Sequence, residues 1–355
     1  ILGPSGSGKS HLVRAALGSL DARFLKIACV LQPMTAQGFV RQFTVALLRG
    51  IVEDGQGLAL EALLERAAVV APKTVEAIHQ LGRTAGSHLH GEVALQALDL
   101  IPLAHQELQR PCVLALDEFL YLGEVGSAHL FHELGKRVVT WPYTVFVLTS
   151  SSGAKAREIL RERLHLLFGQ FELVRLGPVE TAPAVAWMGQ ELSAASAAAG
   201  PMRFLLQWAG HSVWSLQLLV RRMRELEHLN GRSPRLEGVL TRALWDAVGS
   251  PDGAIHQRLL ARLERLDAAR HGSLARAALL AIARGARTTH AVAQQCQARR
   301  NLPQALELLV EEDLITRSGG CWVMLDQVLR LWLTTVYDPI QTQGAPEAAQ
   351  GSERF

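Results

Sequence analysis

The sequence predicts an α/β fold in its first half and a helical continuation that closes on a β-hairpin. Three observations carry this. Short apolar runs at 24–31, 112–116, 143–148 and 171–176 alternate with segments of helical spacing. Strands that are apolar on both faces and separated by helices specify a parallel sheet covered on both sides. Beyond residue 180 the strand signals stop and helical spacing runs to about residue 313. Residues 314–324 then form two short β-prone runs around Ser318-Gly319-Gly320, a hairpin signal.

In chain order, Ile1-Leu2 stands directly before Gly3-Pro4-Ser5-Gly6-Ser7-Gly8-Lys9-Ser10, which matches G-x-x-x-x-G-K-[ST] and runs into a helical segment at 11–20. This is a phosphate-binding loop: its glycines let backbone N–H groups turn inward, and the following helix adds its positive end, with His11 in the first turn. Lys9 is the residue expected to neutralise the transferred phosphate, and the Ser10 hydroxyl is expected on Mg²⁺. Lysine is no background residue here, since only Lys9, Lys26, Lys73, Lys136 and Lys155 stand among 36 basic residues. Because such a loop follows a strand, most of the first strand is expected to lie ahead of this numbering.

The run 24–31 reads as a buried strand and 35–52 as a helix; 54–57 is a turn, and 58–109 is helical with breaks at Ala71-Pro72 and near Gly86. Cys112-Val113-Leu114-Ala115-Leu116 is a continuous apolar run closing on Asp117-Glu118. Two carboxylates at the end of a buried strand suit a site in which Asp117 holds Mg²⁺ and Glu118 orients or deprotonates the attacking water. A helix at about 128–141, a strand at 143–148, a helix at 155–167 and a strand at 171–176 complete the unit. The strand 143–148 ends in Thr149-Ser150-Ser151-Ser152, so a polar group sensing phosphate or water is expected at Thr149 or Ser150, with Ser151 a further choice. Ligands bind at the carboxyl ends of such strands, where the loop, the acids and this polar stretch converge.

Helices follow at about 181–193, 201–209, 212–229 and 236–248, and Ser250-Pro251-Asp252-Gly253 marks a break. Three further helices, after one at 254–266, precede the hairpin, the outline of a winged helix. Phe204, Trp208, Trp214 and Trp332 lie in apolar helices and are expected in the core. The domains are therefore placed at 1–178 for the nucleotide-binding core, 179–250 for a helical segment, 251–337 for the winged helix, and 338–355 for a Gly-, Pro- and Gln-rich tail expected to be disordered.

Bulk properties narrow the class. A hydrophobic content of 49% over 355 residues supports real cores, and a net charge of +3 is too mild to imply nucleic acid by itself. Cys29, Cys112, Cys296 and Cys321 are scattered, which fits reduced thiols of a cytoplasmic protein and no zinc site. No apolar run approaches the ~18 residues of a membrane span. The third helix of the winged-helix outline, 303–313, carries Glu307, Glu311, Glu312 and Asp313 and no basic residue. A helix reading DNA needs the reverse, so protein contact is favoured over DNA, with Arg299, Arg300 and Arg317 left as phosphate-contact candidates.

Together the loop, the Leu-Asp-Glu strand end and the Thr-Ser-Ser-Ser stretch resemble the AAA+ superfamily of P-loop ATPases, in the branch of origin-recognition ATPases, archaeal-type ATPases and STAND signalling NTPases. Residues 208–219, Trp-Ala-Gly-His-Ser-Val-Trp-Ser-Leu-Gln-Leu-Leu, are similar to the G-G-H-P-x-x-L-Q-L-L start of a lid helix in that branch. Met324-Leu325-Asp326-Gln327-Val328-Leu329-Arg330-Leu331-Trp332-Leu333 resembles the D-P-V-x-R-x-W-L segment after its winged helix. The resemblance implies ATP and Mg²⁺ as ligands, a lid at 179–250, His211 beside the nucleotide, and an arginine acting on a neighbouring subunit's site from among Arg157, Arg161 and Arg163. Two departures stand out: Ser212 replaces the usual adenine-contacting proline, and the lid lacks an arginine at its second sensor position.

Two functions remain in view. One is a slow ATPase switch whose nucleotide state controls a protein partner, effector or homo-oligomer. The other is an ATPase that assembles on DNA as a loader or transposition-type regulator. A DNA binder in which ATP matters little fits the acidic third helix worst.

Overall fold

The computed structural model describes residues 1–338 except 54, 56, 85–89, 126–129, 163, 165–170, 178, 194–198, 211, 231–235 and 299. Two compact units divide the chain, one of Ile1–Pro4 with Gly8–Leu176, the other of Ser5–Ser7 with Gly177–Phe355.

In the first unit, α1 (Lys9–Ser19) leads to β1 (Leu25–Val30) and α2 (Ala36–Val52), followed by α3 (Leu60–Val70), α4 (Pro72–Thr84), α5 (His90–Leu98) and α6 (Leu100–Leu108). Then come β2 (Cys112–Asp117), a 3₁₀ turn at Phe119–Glu124, α7 (Leu130–Thr140), β3 (Thr144–Leu148) and α8 (Gly153–Glu162). The strands pair in parallel in the order β1-β2-β3, with Val30 beside Asp117 and Leu116 beside Leu148. All six residues of β2 are buried, which explains why its sequence is apolar without alternation. Val113 and Ala115 pack against Val13 and Leu17 of α1, whereas Leu114 and Leu116 face the larger core built around Phe39, Phe43 and Leu47 of α2. Helix α2 approaches β1 so closely at Gly50 that a Cβ there would stand 2.4 Å from the Lys26 carbonyl oxygen. Thr35 caps this helix, its side chain accepting from the Gly38 amide at 3.2 Å.

The loop segment joins the sheet beyond β3. Leu2 forms parallel bridges to Ser150 on one side and Arg175 on the other. Its amide donates to the Val174 carbonyl and its carbonyl accepts from Leu176, both at 2.8 Å. The strand expected at 171–176 is thus reduced to a bridge, because its partner leaves the sheet at Gly3 and a ladder needs consecutive partners. The helix expected to reach 167 is described as far as Glu162, and residues 163 and 165–167, like the expected break near Gly86, lie outside the described residues. Cys29 and Cys112 are buried, and burial pushes their thiols up to about 12 and about 11, so both stay protonated.

The second unit is helical. Helices α9 (Thr181–Glu191), α10 (Ala199–Ala209), α11 (Val213–Asn230) and α12 (Leu236–Leu244) run into a π turn at Trp245–Gly249. Helices α13 (Ala254–Asp267), α14 (Gly272–Ala283), α15 (Thr289–Gln295) and α16 (Leu302–Glu311) precede the antiparallel hairpin β4 (Ile315–Ser318) and β5 (Cys321–Met324), then α17 (Gln327–Trp332) and a π turn at Leu333–Tyr337. One apolar core runs through this unit on both sides of Ser250, from Met188, Leu205 and Met223 to Leu279, Leu309 and Trp332. Trp332 is fully buried and donates through Nε1 to Nδ1 of His256 at 3.2 Å. Trp208 is buried as expected, but Phe204 is 43% exposed. The inward stripe of α10 is Met202, Leu205, Trp208 and Ala209, and Phe204 falls off it.

Candidate active site

The glycine-rich loop owes its path to two left-handed residues, Gly6 at φ 85° and Gly8 at φ 94°. A side chain at either would be strained, and Gly8 leads directly into the first turn of α1. The amides at this turn have no helical acceptor and carry the positive end of the helix. Within the loop, Ser7 is buried and its Oγ has no hydrogen-bond partner among the described residues, while Ser5 and His11 are exposed and Ser10 half-buried. Lys9 is buried to 4% exposure, an unusual place for an ammonium. Its Nζ donates to the carbonyls of Gly3 at 2.8 Å and Pro4 at 3.2 Å, and lies 3.6 Å from Glu118 Oε1. The lysine therefore bridges the start of its own loop and the acid at the end of β2.

Strand order delivers the acids. Register places Asp117 at the end of β2, so that Thr149, the residue after β3, lies beside it. The Thr149 hydroxyl donates to Asp117 Oδ1 and accepts from the Glu118 amide at 3.1 Å. Thr149 is fully buried and Asp117 nearly so, which keeps this pairing out of water. Glu118 itself adopts φ 55°, ψ 49°, a left-handed conformation that costs an L-residue roughly 1–2 kcal/mol. That turn ends β2 and carries the Glu118 carboxylate to the loop after β3. There Oε2 accepts from the Ser151 amide at 2.8 Å and the Ser151 hydroxyl at 2.9 Å.

Of the polar stretch, then, Thr149 holds the acids and Ser151 holds Glu118. Ser150 is buried but turns away: its Oγ donates to the Ser152 carbonyl and accepts from the Ser152 amide, both at 3.0 Å, and its backbone pairs with Ile1 and Gly3. Alternation along an extended chain explains the split, since neighbours at 149 and 150 point to opposite sides. Ser151 was within the expected stretch, but nothing in composition could single it out. Arg157 and Arg161 are exposed on α8, Arg161 pairing with Glu162 at 2.8 Å; Arg163 and His211 lie outside the described residues. No group of three or more His, Cys, Asp or Glu side chains is placed to hold a metal ion among the described residues. No helix among them is long and apolar enough to cross a membrane.

The arrangement is suited to a phosphate ester: a left-handed glycine turn at a helix start, a buried lysine, and a carboxylate pair whose outer member faces that lysine. Residues 1–148 match the AAA ATPase domain family. No curated protein matches the chain. Among solved structures, a Walker-type ATPase of Pyrococcus abyssi is similar in fold, with a TM-score of 0.63 and 16% identity over 94% of this chain and 89% of that one. The ORC2 protein of Aeropyrum pernix, solved as ADPNP–ADP complexes, is matched at a TM-score of 0.43 and 14% identity over 94% of this chain and 86% of that one.

Proposed function

From the match of residues 1–148 to the AAA ATPase domain family, we propose that the chain binds and slowly hydrolyses ATP and that its nucleotide state controls a protein partner or an assembly. The observation that carries the hydrolytic reading is the Lys9–Glu118 juxtaposition at 3.6 Å, across the mouth of a loop shaped for phosphate. The loop amides at Gly6–Lys9 receive the β- and γ-phosphates, together with Ser5 and the first turn of α1. Lys9 exchanges the carbonyls of Gly3 and Pro4 for phosphate oxygens. Ser10 and Asp117 are the residues that would hold Mg²⁺, which supplies charge neutralisation at the phosphates when bound. The Ser7 Oγ, which has no hydrogen-bond partner among the described residues, and the buried Asp117 fit such a polar guest. Glu118 takes the proton of the attacking water, and Thr149 keeps both acids in place.

The remaining assignments extend this reading. Helices α9–α12 are proposed as the lid, with His211 beside the nucleotide, and α14–α16 with the β4–β5 hairpin as a winged helix in a STAND-like switch. Support for a protein partner comes from α16, whose outward residues Pro303, Gln304 and Glu307 offer no positive charge to a DNA backbone. One arginine among Arg157, Arg161 and Arg163 is proposed to complete the site of a neighbouring copy.

Lys9→Ala is expected to abolish ATP binding, and Glu118→Gln to retain binding while stopping phosphate release. Normal hydrolysis by both variants would remove the site assignment. Light-scattering mass with ATP, with and without duplex DNA, tests the partner: assembly that requires DNA would favour a loader or transposition-type regulator instead.

A further inference from the structure

The geometry points to Ser151 as a positioning residue that selects which Glu118 oxygen faces the reacting phosphate; this rests on the reading of Glu118 as the hydrolytic base. A carboxylate at the end of a flexible side chain can rotate and present either oxygen, and a base must offer its lone pair within about 3 Å of the water proton. Here the rotation is stopped. Both Ser151 donors converge on Oε2, the amide at 2.8 Å and the hydroxyl at 2.9 Å. Oε1 is thereby left pointing toward Lys9, at 3.6 Å. Since Lys9 Nζ marks where phosphate charge is received, the oxygen that remains for water is the one on the reaction side.

Three features make the clamp specific. The Glu118 backbone is fixed at its own end by the amide bond to Thr149 Oγ1 and by its left-handed turn, so only the side-chain torsions are left for Ser151 to set. Ser151 lies two residues beyond Thr149, so the same stretch that holds the Glu118 amide also holds its carboxylate. Its hydroxyl has one acceptor placed before it and needs no nucleotide to be ordered. Removal of the hydroxyl leaves the amide bond, so the carboxylate becomes looser without being set free.

Steady-state phosphate release and ATP titration on the full chain test this. Ser151→Ala is expected to lower kcat about tenfold, the scale of losing one hydrogen bond to a charged group, with ATP affinity unchanged within about twofold. Ser151→Thr keeps the hydroxyl and is expected to stay within about threefold of the parent. In a Glu118→Gln background Ser151→Ala should add no further loss, because there is no base left to orient. Wild-type or raised kcat in Ser151→Ala, with Glu118→Gln inactive, overturns the proposal alone. Equal losses in the Ala and Thr variants, accompanied by a lowered melting temperature, assign Ser151 a structural role and overturn it too. Full turnover by Glu118→Gln instead removes the underlying reading of the base.

Discussion

Thr149→Val isolates the hydroxyl that ties the ends of β2 and β3 together. Valine keeps the branching and nearly the volume, so the change is confined to the oxygen. Two bonds are lost: the donation to the Asp117 carboxylate and the acceptance from the Glu118 amide at 3.1 Å. A hydrogen bond to a charged group contributes about 1.5–3 kcal/mol, and a stranded buried N–H costs about 1–3 kcal/mol. Asp117 is 6% exposed, so that loss stays whole, and each term is taken near the low end of its range. The sum is about 3 kcal/mol, or roughly 6–12 °C in Tm for a unit of this size. Thermal unfolding followed by circular dichroism reads it directly. Thr149→Ser is the control, since it keeps both bonds and gives up one methyl, about 1 kcal/mol. The expected order of stability is parent, Ser variant, Val variant. A Val variant within about 0.5 kcal/mol of the parent, or more stable than the Ser variant, refutes the pairing described at this strand end.

Other expectations follow from the same unit. Gly50→Ala places a Cβ 2.4 Å from the Lys26 carbonyl, and about 1–3 kcal/mol of destabilisation is expected from overpacking even after the better helix propensity of alanine; a stabilised variant in urea titration would show that α2 has room to shift. Glu107 caps the start of α4, accepting from the amides of Lys73 and Thr74 at 2.8 Å and from the Thr74 hydroxyl at 2.7 Å. Partial burial alone would raise its carboxyl, but the Thr74 hydroxyl, the two amides and the Lys73 charge outweigh that and hold it below the ordinary range. The stability it contributes is present above the unfolded value near 4.3 and is lost as pH falls through the lowered folded value. The Tm gap between parent and Glu107→Gln should therefore begin to shrink as pH falls below the unfolded value near 4.3 and close as it passes through the lowered folded value, and a gap independent of pH would contradict the cap.

What the sequence made legible was what local chemistry alone dictates. The run Cys112–Leu116 could be buried on both faces only as a central parallel strand, and it is. The loop motif fixed the start of α1, because only glycine tolerates the turn at Gly8. Contacts that depend on register were not legible. Whether Thr149, Ser150 or Ser151 meets the acids turns on where β3 ends beside β2, and a shift of one residue exchanges the sides. Nor does glutamate announce a left-handed turn, so the route of Glu118 toward Ser151 came only with the fold. Phe204 shows the opposite limit: apolar character alone placed it inside, while its phase on α10 places it outside.

The stretch Thr149-Ser150-Ser151 binds three different parts of the unit in three consecutive residues. Thr149 serves the acids, Ser150 meets the backbone of Ile1 and Gly3, and Ser151 serves the Glu118 side chain. A substitution touches one of these tasks, but an insertion or deletion of one residue would misassign all three at once. Length, more than composition, is thus what this stretch must preserve as the sequence diverges. Tolerance to added residues should begin only past Ser152, where α8 starts at Gly153.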